Sequence, residues 1–158
     1  MTLKSLGRLV FCMMLCGLIG YAGSRSTIPE IPTWYAHLNK PSWTPPPAVF
    51  PVVWTLLYIM IAVSLWRLLD RVVPGPARHR TLVLFATQLV LNALWSPVFF
   101  ALHATSAALA IIILLDICLA ATVASAWRID RPAAWLLLPY LVWVLYATTL
   151  NAGVVWMN

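Results

Sequence analysis

The stretch that decides the fold runs from Thr81 to Trp127 and reads TLVLFATQLVLNALWSPVFFALHATSAALAIIILLDICLAATVASAW. Its only charged residue is Asp116. A helix needs about 20 predominantly apolar residues to cross the hydrocarbon core of a bilayer, and this stretch is long enough for two such helices. We therefore predict two membrane-spanning helices, 81–101 and 105–127, which are separated by a turn around His103.

The rest of the chain contains three further charge-poor windows, at 6–24, 49–69 and 133–156. Hydrophobic residues make up 63% of the sequence, charged residues only 9%, and the mean hydropathy is +0.90. A soluble domain carries roughly a quarter charged residues, so this composition excludes an ordinary soluble protein. We predict an all-α membrane protein, a bundle of five transmembrane helices that forms one domain over 1–158 with a loop at 25–48.

The positions of the basic residues predict the orientation of the bundle. With five spans, eight of the ten lysines and arginines lie on the side of the N-terminus: Lys4, Arg8, Arg67, Arg71, Arg78, Arg80, Arg128 and Arg131. The other side holds only Arg25 and Lys40. Because Lys and Arg are retained in short cytoplasmic loops, this asymmetry predicts a cytoplasmic N-terminus. The net charge of +6 does not indicate nucleic-acid binding, since the basic residues are scattered at helix ends and form no stripe.

The first span has an alternative interpretation as a cleaved signal peptide. Lys4 and Arg8 precede an apolar run that ends in the small residues 22–24, which is the usual order of such a peptide. Cleavage would leave four spans and remove one wall of the bundle. A lipoprotein signal is disfavoured, because Leu15 is too large for the position before a modified cysteine at Cys16.

The loop before the second span is rich in aromatic residues and prolines. From Trp34 to Trp54 it reads WYAHLNKPSWTPPPAVFPVVW, with three tryptophans and five prolines. Prolines stiffen the chain, and indole rings offer large flat apolar faces. This pattern predicts a cover for a flat hydrophobic ligand at the mouth of the bundle. The alternative is an interfacial belt, because Trp and Tyr gather at headgroup depth.

Three spans carry stripes at helical spacing in which polar groups are accompanied by Trp or Tyr. The stripes are Phe50, Trp54, Tyr58 and Ile61; Gln88, Asn92, Trp95 and Phe99; and Tyr140, Trp143, Ala147 and Asn151. A polar side chain in hydrocarbon is costly unless it faces a partner or a cavity, so we expect all three stripes to face inward. The alternative is that Asn and Gln only bond neighbouring helices together.

Asp116 is the one acidic residue deep within a predicted span. Intramembrane carboxylates are candidates for proton coupling or for holding a cationic or hydrogen-bonding group. The alternative is a protonated acid that donates a hydrogen bond to a neighbouring helix. The spans hold no second acid or base that would complete a proton relay.

The sequence does not indicate a metal site or a disulfide framework. Its three cysteines, Cys12, Cys16 and Cys118, all lie within spans, and its histidines, His37, His79 and His103, are widely separated. The chain has no phosphate-binding glycine motif and no Ser/His/Asp arrangement at a suitable spacing.

Five segments carry a resemblance to a known family. They are WYAHLNKPSWTPP (34–46), FPVVWTLLY (50–58), NALWSPVFF (92–100), PYLVW (139–143) and ATTLN (147–151). In order and spacing they resemble the TspO/MBR family, the tryptophan-rich sensory proteins related to the mitochondrial translocator protein. The resemblance covers the chain from about Trp34 to Asn151, whereas the first helix is too generic to contribute.

The resemblance implies a five-helix bundle, commonly a homodimer, that binds porphyrins and related flat hydrophobic ligands between its helices. It implies protoporphyrin IX or haem as ligand, no required cofactor and no metal. The implied pocket walls are Tyr35, Pro45, Trp54, Tyr58, Asn92, Trp95, Ser96, Trp143 and Ala147. Asp116 matches an acid on the fourth helix of some relatives. The implied location is the bacterial inner membrane, with the outer membrane as the alternative.

The resemblance leaves the function open between three classes. The first is tetrapyrrole binding with a sensing, regulatory or transport role. The second is light-dependent porphyrin breakdown, in which Trp54 and Trp143 match the implicated pair. The third is sterol or lipid binding, or a membrane scaffold. The sterol interpretation is weakened, because Ala152 or Gly153 takes the place of the tyrosine in the family's sterol motif and no basic residue follows.

Overall fold

The structure is a computed structural model that describes residues 2–158, and all of its regular elements are helical. Five long helices follow one another along the chain: α1 Leu3–Thr27, α2 Val49–Asp70, α3 Pro76–Ser96, α4 Thr105–Trp127 and α5 Arg131–Met157. All five helices are long and apolar enough to cross a membrane. The prediction of an all-α bundle of five spanning helices is therefore confirmed.

The helices extend beyond the predicted spans at several ends. Helix α1 begins at Leu3 and not at residue 6, and α3 begins at Pro76 and not at residue 81. The predicted windows stopped at charged residues, but such residues continue a helix beyond the hydrocarbon core, where their head groups reach water. The turn predicted around His103 is present, and His103 has a positive φ of 53°.

The five helices form a closed ring. Helix α1 packs against α2 and α3, α5 packs against α2 and α4, and α3 packs against α4, so the order around the ring is α1–α2–α5–α4–α3. The loop between α1 and α2, predicted at 25–48, occupies 28–48 because α1 continues to Thr27; we call it the aromatic loop, and it contains two short 3₁₀ turns, Ile28–Glu30 and Tyr35–His37. It joins α1 to α2 at one end of the ring.

The opposite end, where α1, α3 and α5 begin, contains eight of the ten basic residues and is closely packed; we call it the basic end. Leu68, Phe85 and Leu137 are fully buried there. The Thr81 and Ser125 hydroxyls lie 2.7 Å apart between α3 and α4, and Ser64 donates to the Ala133 carbonyl at 2.8 Å. This half of the bundle has a filled interior.

Ion pairs fasten the helix ends at the basic end. The Arg67 guanidinium binds both carboxylate oxygens of Asp130 at 3.0 and 3.1 Å, and Asp130 also accepts from the Ala133 amide at 2.8 Å, which caps α5. Arg8 pairs with Asp70 at 3.0 Å. The ends of α1, α2 and α5 that carry basic residues therefore meet, although the side of the membrane that they face stays a prediction.

Candidate functional site

A cavity of about 970 Å³ occupies the half of the bundle beneath the aromatic loop. All five helices and the loop contribute to its wall. The structure brings all nine predicted pocket residues to this cavity: Tyr35, Pro45, Trp54, Tyr58, Asn92, Trp95, Ser96, Trp143 and Ala147. Their role in binding a ligand stays a prediction.

Hydrogen bonds between helices hold several of the polar groups of the cavity. The Tyr58 hydroxyl donates to Asn92 Oδ1 at 2.8 Å, which joins α2 to α3. Trp95 Nε1 donates to Asn151 Oδ1 at 3.0 Å, and Asn151 Nδ2 donates to the Thr105 carbonyl at 2.9 Å. Asn92 and Asn151 therefore fit both interpretations of the stripes, because the same amides line the cavity and bond neighbouring helices together.

Aromatic rings form much of the cavity wall. Trp54 is stacked on Tyr58 with ring centroids 5.4 Å apart, and its ring meets Tyr140 edge-on at 6.2 Å. Phe50 approaches Trp143 edge-on at 5.8 Å. The indole nitrogen of Trp143 is buried and has no hydrogen-bond partner among the described residues. The wall therefore offers flat apolar faces.

Helix α1 supplies cavity-lining residues that were not predicted from the sequence. Gly17, Gly20 and Gly23 all border the cavity. A Cβ atom at Gly20 would lie 2.8 Å from a ring carbon of Tyr58, so this close approach requires glycine. The signal was visible in the sequence as three glycines at a spacing of three, which places them near one another along one side of a helix.

Lys40 is the only charged side chain that borders the cavity within residues 2–158. Its Nζ donates to the carbonyls of Tyr35 at 2.8 Å and Leu38 at 2.9 Å, and it lies 4.8 Å from the centre of the Tyr35 ring. Burial raises the pKa of the Tyr35 phenol above its usual value, so this phenol stays neutral at physiological pH. The lysine holds the turn of the loop together and places a positive charge at the cavity roof.

The aromatic loop is fastened to α5 by hydrogen bonds. The backbone N–H of Asn39 donates to Asn158 Oδ1 at 3.0 Å, and Asn158 Nδ2 donates to the backbone carbonyl of Asn39 at 2.9 Å. The Tyr146 hydroxyl donates to the Trp43 carbonyl at 2.6 Å. These contacts hold the loop across the mouth of the cavity.

Three further contacts hold the loop in place. Trp34 stacks on His103 with ring centroids 4.1 Å apart, and His103 Nε2 lies 3.0 Å from a carboxylate oxygen of Glu30. Pro41 packs directly on Gly153, where a side chain would collide with the proline ring. Gly153, one of the two candidates for the tyrosine position of the sterol motif, therefore serves as a seat for the loop.

Three residues of the predicted stripes face inward but do not border the cavity. Ile61, Gln88 and Tyr140 are fully buried in the packed core. The hydroxyl of Tyr140 and both amide atoms of Gln88 have no hydrogen-bond partner within the described chain. The inward direction of the stripes is confirmed, but helical spacing does not show how far along the axis the interior stays open.

Asp116 also lies outside the cavity wall. Its Oδ2 accepts a hydrogen bond from Thr148 at 2.7 Å, which joins α4 to α5. Its Oδ1 is buried without a partner among the described residues. This contact joins two helices, as the alternative interpretation expected, but Asp116 is the acceptor and not the donor; the role of Asp116 stays a prediction.

Within residues 2–158, no three side chains of the types that bind metals come together. Cys12 and Cys16 are buried free thiols in α1, and Cys118 is a free thiol in α4.

The fold and the cavity together define a class: multi-pass membrane proteins of five helices, with an aromatic-lined cavity beneath a fastened loop. The sequence model of the TspO/MBR family matches residues 12–157, and the chain belongs to this family. It is 39% identical to the tryptophan-rich protein TspO of Chlorobaculum tepidum over 98% of both chains. It is 39% identical to the protein of the same name from Archaeoglobus fulgidus, over 96% of this chain and 97% of that one. It is 37% identical to the human translocator protein, over 83% of this chain and 78% of that one.

Proposed function

We propose that this membrane protein binds a tetrapyrrole, such as protoporphyrin IX or haem, or a related flat hydrophobic ligand, in the cavity beneath the aromatic loop. The observation that carries the proposal is the convergence of the nine predicted pocket residues on one cavity. These residues come from the loop and from three different helices, and their sequence positions span more than a hundred residues.

The size and chemistry of the cavity support this class of ligand. Its volume of about 970 Å³ lies at the upper end of the roughly 300–1,000 Å³ that is usual for ligand sites. Tryptophan and tyrosine faces suit a flat conjugated ring. Lys40 at the roof supplies the charge that would attract the carboxylates of a porphyrin.

We further propose a sensing, regulatory or transport role in the bacterial inner membrane, with a cytoplasmic N-terminus and a homodimeric assembly. The basic end supports the orientation, because the helix ends that carry eight of the ten basic residues meet there. Some relatives are named as sensory or translocator proteins, which agrees with such a role for this chain.

Light-dependent porphyrin breakdown is the second candidate function. Trp54 and Trp143 both border the cavity, so both indoles could donate electrons to an excited ring that is bound there. Binding of sterol is less well supported, because Gly153 is covered by Pro41 and carries no side chain that could meet a sterol.

The test is a titration of the purified protein with protoporphyrin IX, first in the dark and then under illumination. Saturable binding without loss of porphyrin absorbance supports a binding protein. Loss of absorbance that requires both light and protein supports the breakdown function. Absence of saturation would overturn the proposal and favour a scaffold.

A further inference from the structure

The exposed part of the cavity wall lies on one side of the ring of helices. Within residues 2–158, every residue of α3, α4 and α5 that borders the cavity is buried or half-buried. The residues that border the cavity and are also exposed belong to α1, the aromatic loop and α2: Gly17, Tyr21, Ser24, Ile28, Pro46, Pro47, Pro51, Thr55 and Ile59. A residue that faces both the cavity and the surroundings marks an opening. The cavity is therefore open sideways between α1 and α2, and we call this opening the slit.

The same two helices pack closely on the other side of the slit, toward the basic end. Cys12 and Cys16 of α1 are fully buried there. Trp66 Nε1 of α2 donates to the carbonyl of Ser5 at 3.1 Å, which bonds the two helices together. The interface of α1 and α2 is therefore closed toward the basic end and open toward the aromatic loop.

A glycine leaves the slit unfilled where it begins. A Cβ atom at Gly17 would meet no neighbouring side chain or helix within 4 Å, although Gly17 borders the cavity. Gly20 differs, because a Cβ atom there would lie 2.8 Å from the ring of Tyr58. A larger side chain at Gly17 would thus narrow the slit without displacing its neighbours.

The slit extends from the middle of the membrane to the level of the loop. Gly17 and Ile59 lie near the middle of α1 and α2, whereas Pro46 and Pro47 lie in the loop. Because a helix of about 20 residues crosses the hydrocarbon core, the middle of each helix lies among lipid chains. None of the exposed residues along the slit is charged. The slit therefore presents an uncharged opening to the lipid.

The end of the cavity under the aromatic loop is fastened. Opening it breaks both hydrogen bonds between Asn158 and the backbone of Asn39, and the bond from the Tyr146 hydroxyl to the Trp43 carbonyl. It also lifts the loop from its seat on α5. A ligand dissolved in the bilayer meets the slit without breaking any of these contacts.

We propose that the slit is a lateral port, through which the flat hydrophobic ligand passes between the lipid and the cavity. The inference rests on the proposed function, because the molecule that passes is the ligand of the cavity. A flat ring enters edge-on, since the slit runs along the two helices. The carboxylates of a porphyrin then stay at the loop end, where Lys40 lies at the cavity roof, and only the apolar ring crosses the hydrocarbon.

The test measures the association and dissociation rates of protoporphyrin IX with the protein in lipid nanodiscs. Gly17→Leu narrows the slit from α1, and Ile59→Trp narrows it from α2. We expect each to lower both rates by about tenfold, which corresponds to roughly 1.4 kcal/mol on the barrier. The two rates fall together because entry and exit cross the same barrier. Tyr21→Ala widens the slit and should raise both rates.

Each narrowing variant has a matched control on its own helix. Gly7→Leu makes the same change on α1, at a glycine where a Cβ atom also meets nothing within 4 Å but which does not border the cavity. Val52→Trp adds an indole to α2 at a position that is 62% exposed and does not border the cavity. Both controls should keep the wild-type rates, and thermal unfolding shows whether each variant is folded.

Three results would overturn the port. The first is wild-type rates in both narrowing variants. The second is a higher Kd with an unchanged association rate, which would make Gly17 and Ile59 ordinary contacts of the bound ligand. The third is faster association in Asn158→Ala with no effect of the narrowing variants, which would place the entry under the loop.

Equilibrium binding in the dark separates the failure of the port from the failure of the proposed function. Saturable binding to the wild-type protein, with any of these three results, would remove the port alone. Absence of saturable binding would remove the proposed function and the port with it.

Discussion

Replacement of Trp143 by alanine is the most informative test of the cavity wall. The side chain is half-buried, borders the cavity and is not bonded through its N–H. Its aromatic neighbours Phe50 and Tyr146 meet it at steep angles, so neither ring stacks flat on the indole, and we expect a flat ligand to pack on one of its faces. The substitution removes that face without breaking a hydrogen bond.

The expected loss of affinity follows from the area of the ring. One indole face covers roughly 100 Å², about half of what a tryptophan buries in a core, and at about 25 cal/mol per Å² this contributes about 2.5 kcal/mol. Neighbouring rings can move partly into the vacated space, so we expect a net loss of about 2 kcal/mol, or a roughly thirtyfold rise in Kd.

The assay is equilibrium binding of protoporphyrin IX in the dark, with the thermal unfolding of each variant measured in parallel. Trp127→Ala is the control, because Trp127 lies at the end of α4, packs on Trp135 and does not border the cavity. Its affinity should match the wild type. Equal losses of affinity in the two variants would show general destabilisation and would refute the assignment of Trp143 to the binding wall.

The remaining predictions concern chemistry, topology and stability. If porphyrin is broken down under light, the double variant Trp54→Phe with Trp143→Phe should keep much of the porphyrin binding but lose the breakdown. The reason is that a phenyl ring is much harder to oxidise than an indole. Undiminished loss of porphyrin absorbance in this variant would contradict the enzymatic interpretation. Reporter fusions after Leu69 and at the C-terminus should report opposite compartments, because three spans lie between them, and a shared compartment would mean that the number of spans after Leu69 is wrong. In thermal unfolding, Asp130→Ala should lower the stability by about 3 kcal/mol, since it leaves the largely buried Arg67 unpaired. Arg71→Ala removes a longer ion pair whose arginine is exposed, and it should lower the stability by under about 1 kcal/mol. Equal losses of stability in the two variants would contradict this ranking.

The helices and the direction of their inward faces could be predicted because both depend on local sequence. The length of an apolar run gives a span, and a spacing of three or four gives a face. The turn at His103 was predictable for the same reason. The position along the bundle axis at which the packed core gives way to the cavity was not predictable. Tyr140 and Trp143 belong to one stripe, yet Tyr140 lies in the packed core and Trp143 borders the cavity. The volumes of the side chains on the neighbouring helices decide where the core is filled and where the cavity begins.

The closure of the aromatic loop could not be predicted, because its contacts join distant parts of the chain. Asn39 and Asn158 are 119 positions apart, and nothing in their local sequence indicates that they pair. The seat of Pro41 on Gly153 is likewise a product of the assembled ring. A loop with aromatic residues and prolines was recognisable as a cover, but the partners that hold it were visible only in the fold.

The most direct test of the central claim is an experimental structure of the protein with protoporphyrin IX bound in a lipid environment. The account predicts that the porphyrin ring lies inside the bundle between Trp54 and Trp143, beneath Tyr35 and Pro45 of the aromatic loop. A porphyrin found only on the lipid-facing surface, with the internal cavity empty of ligand, would contradict it.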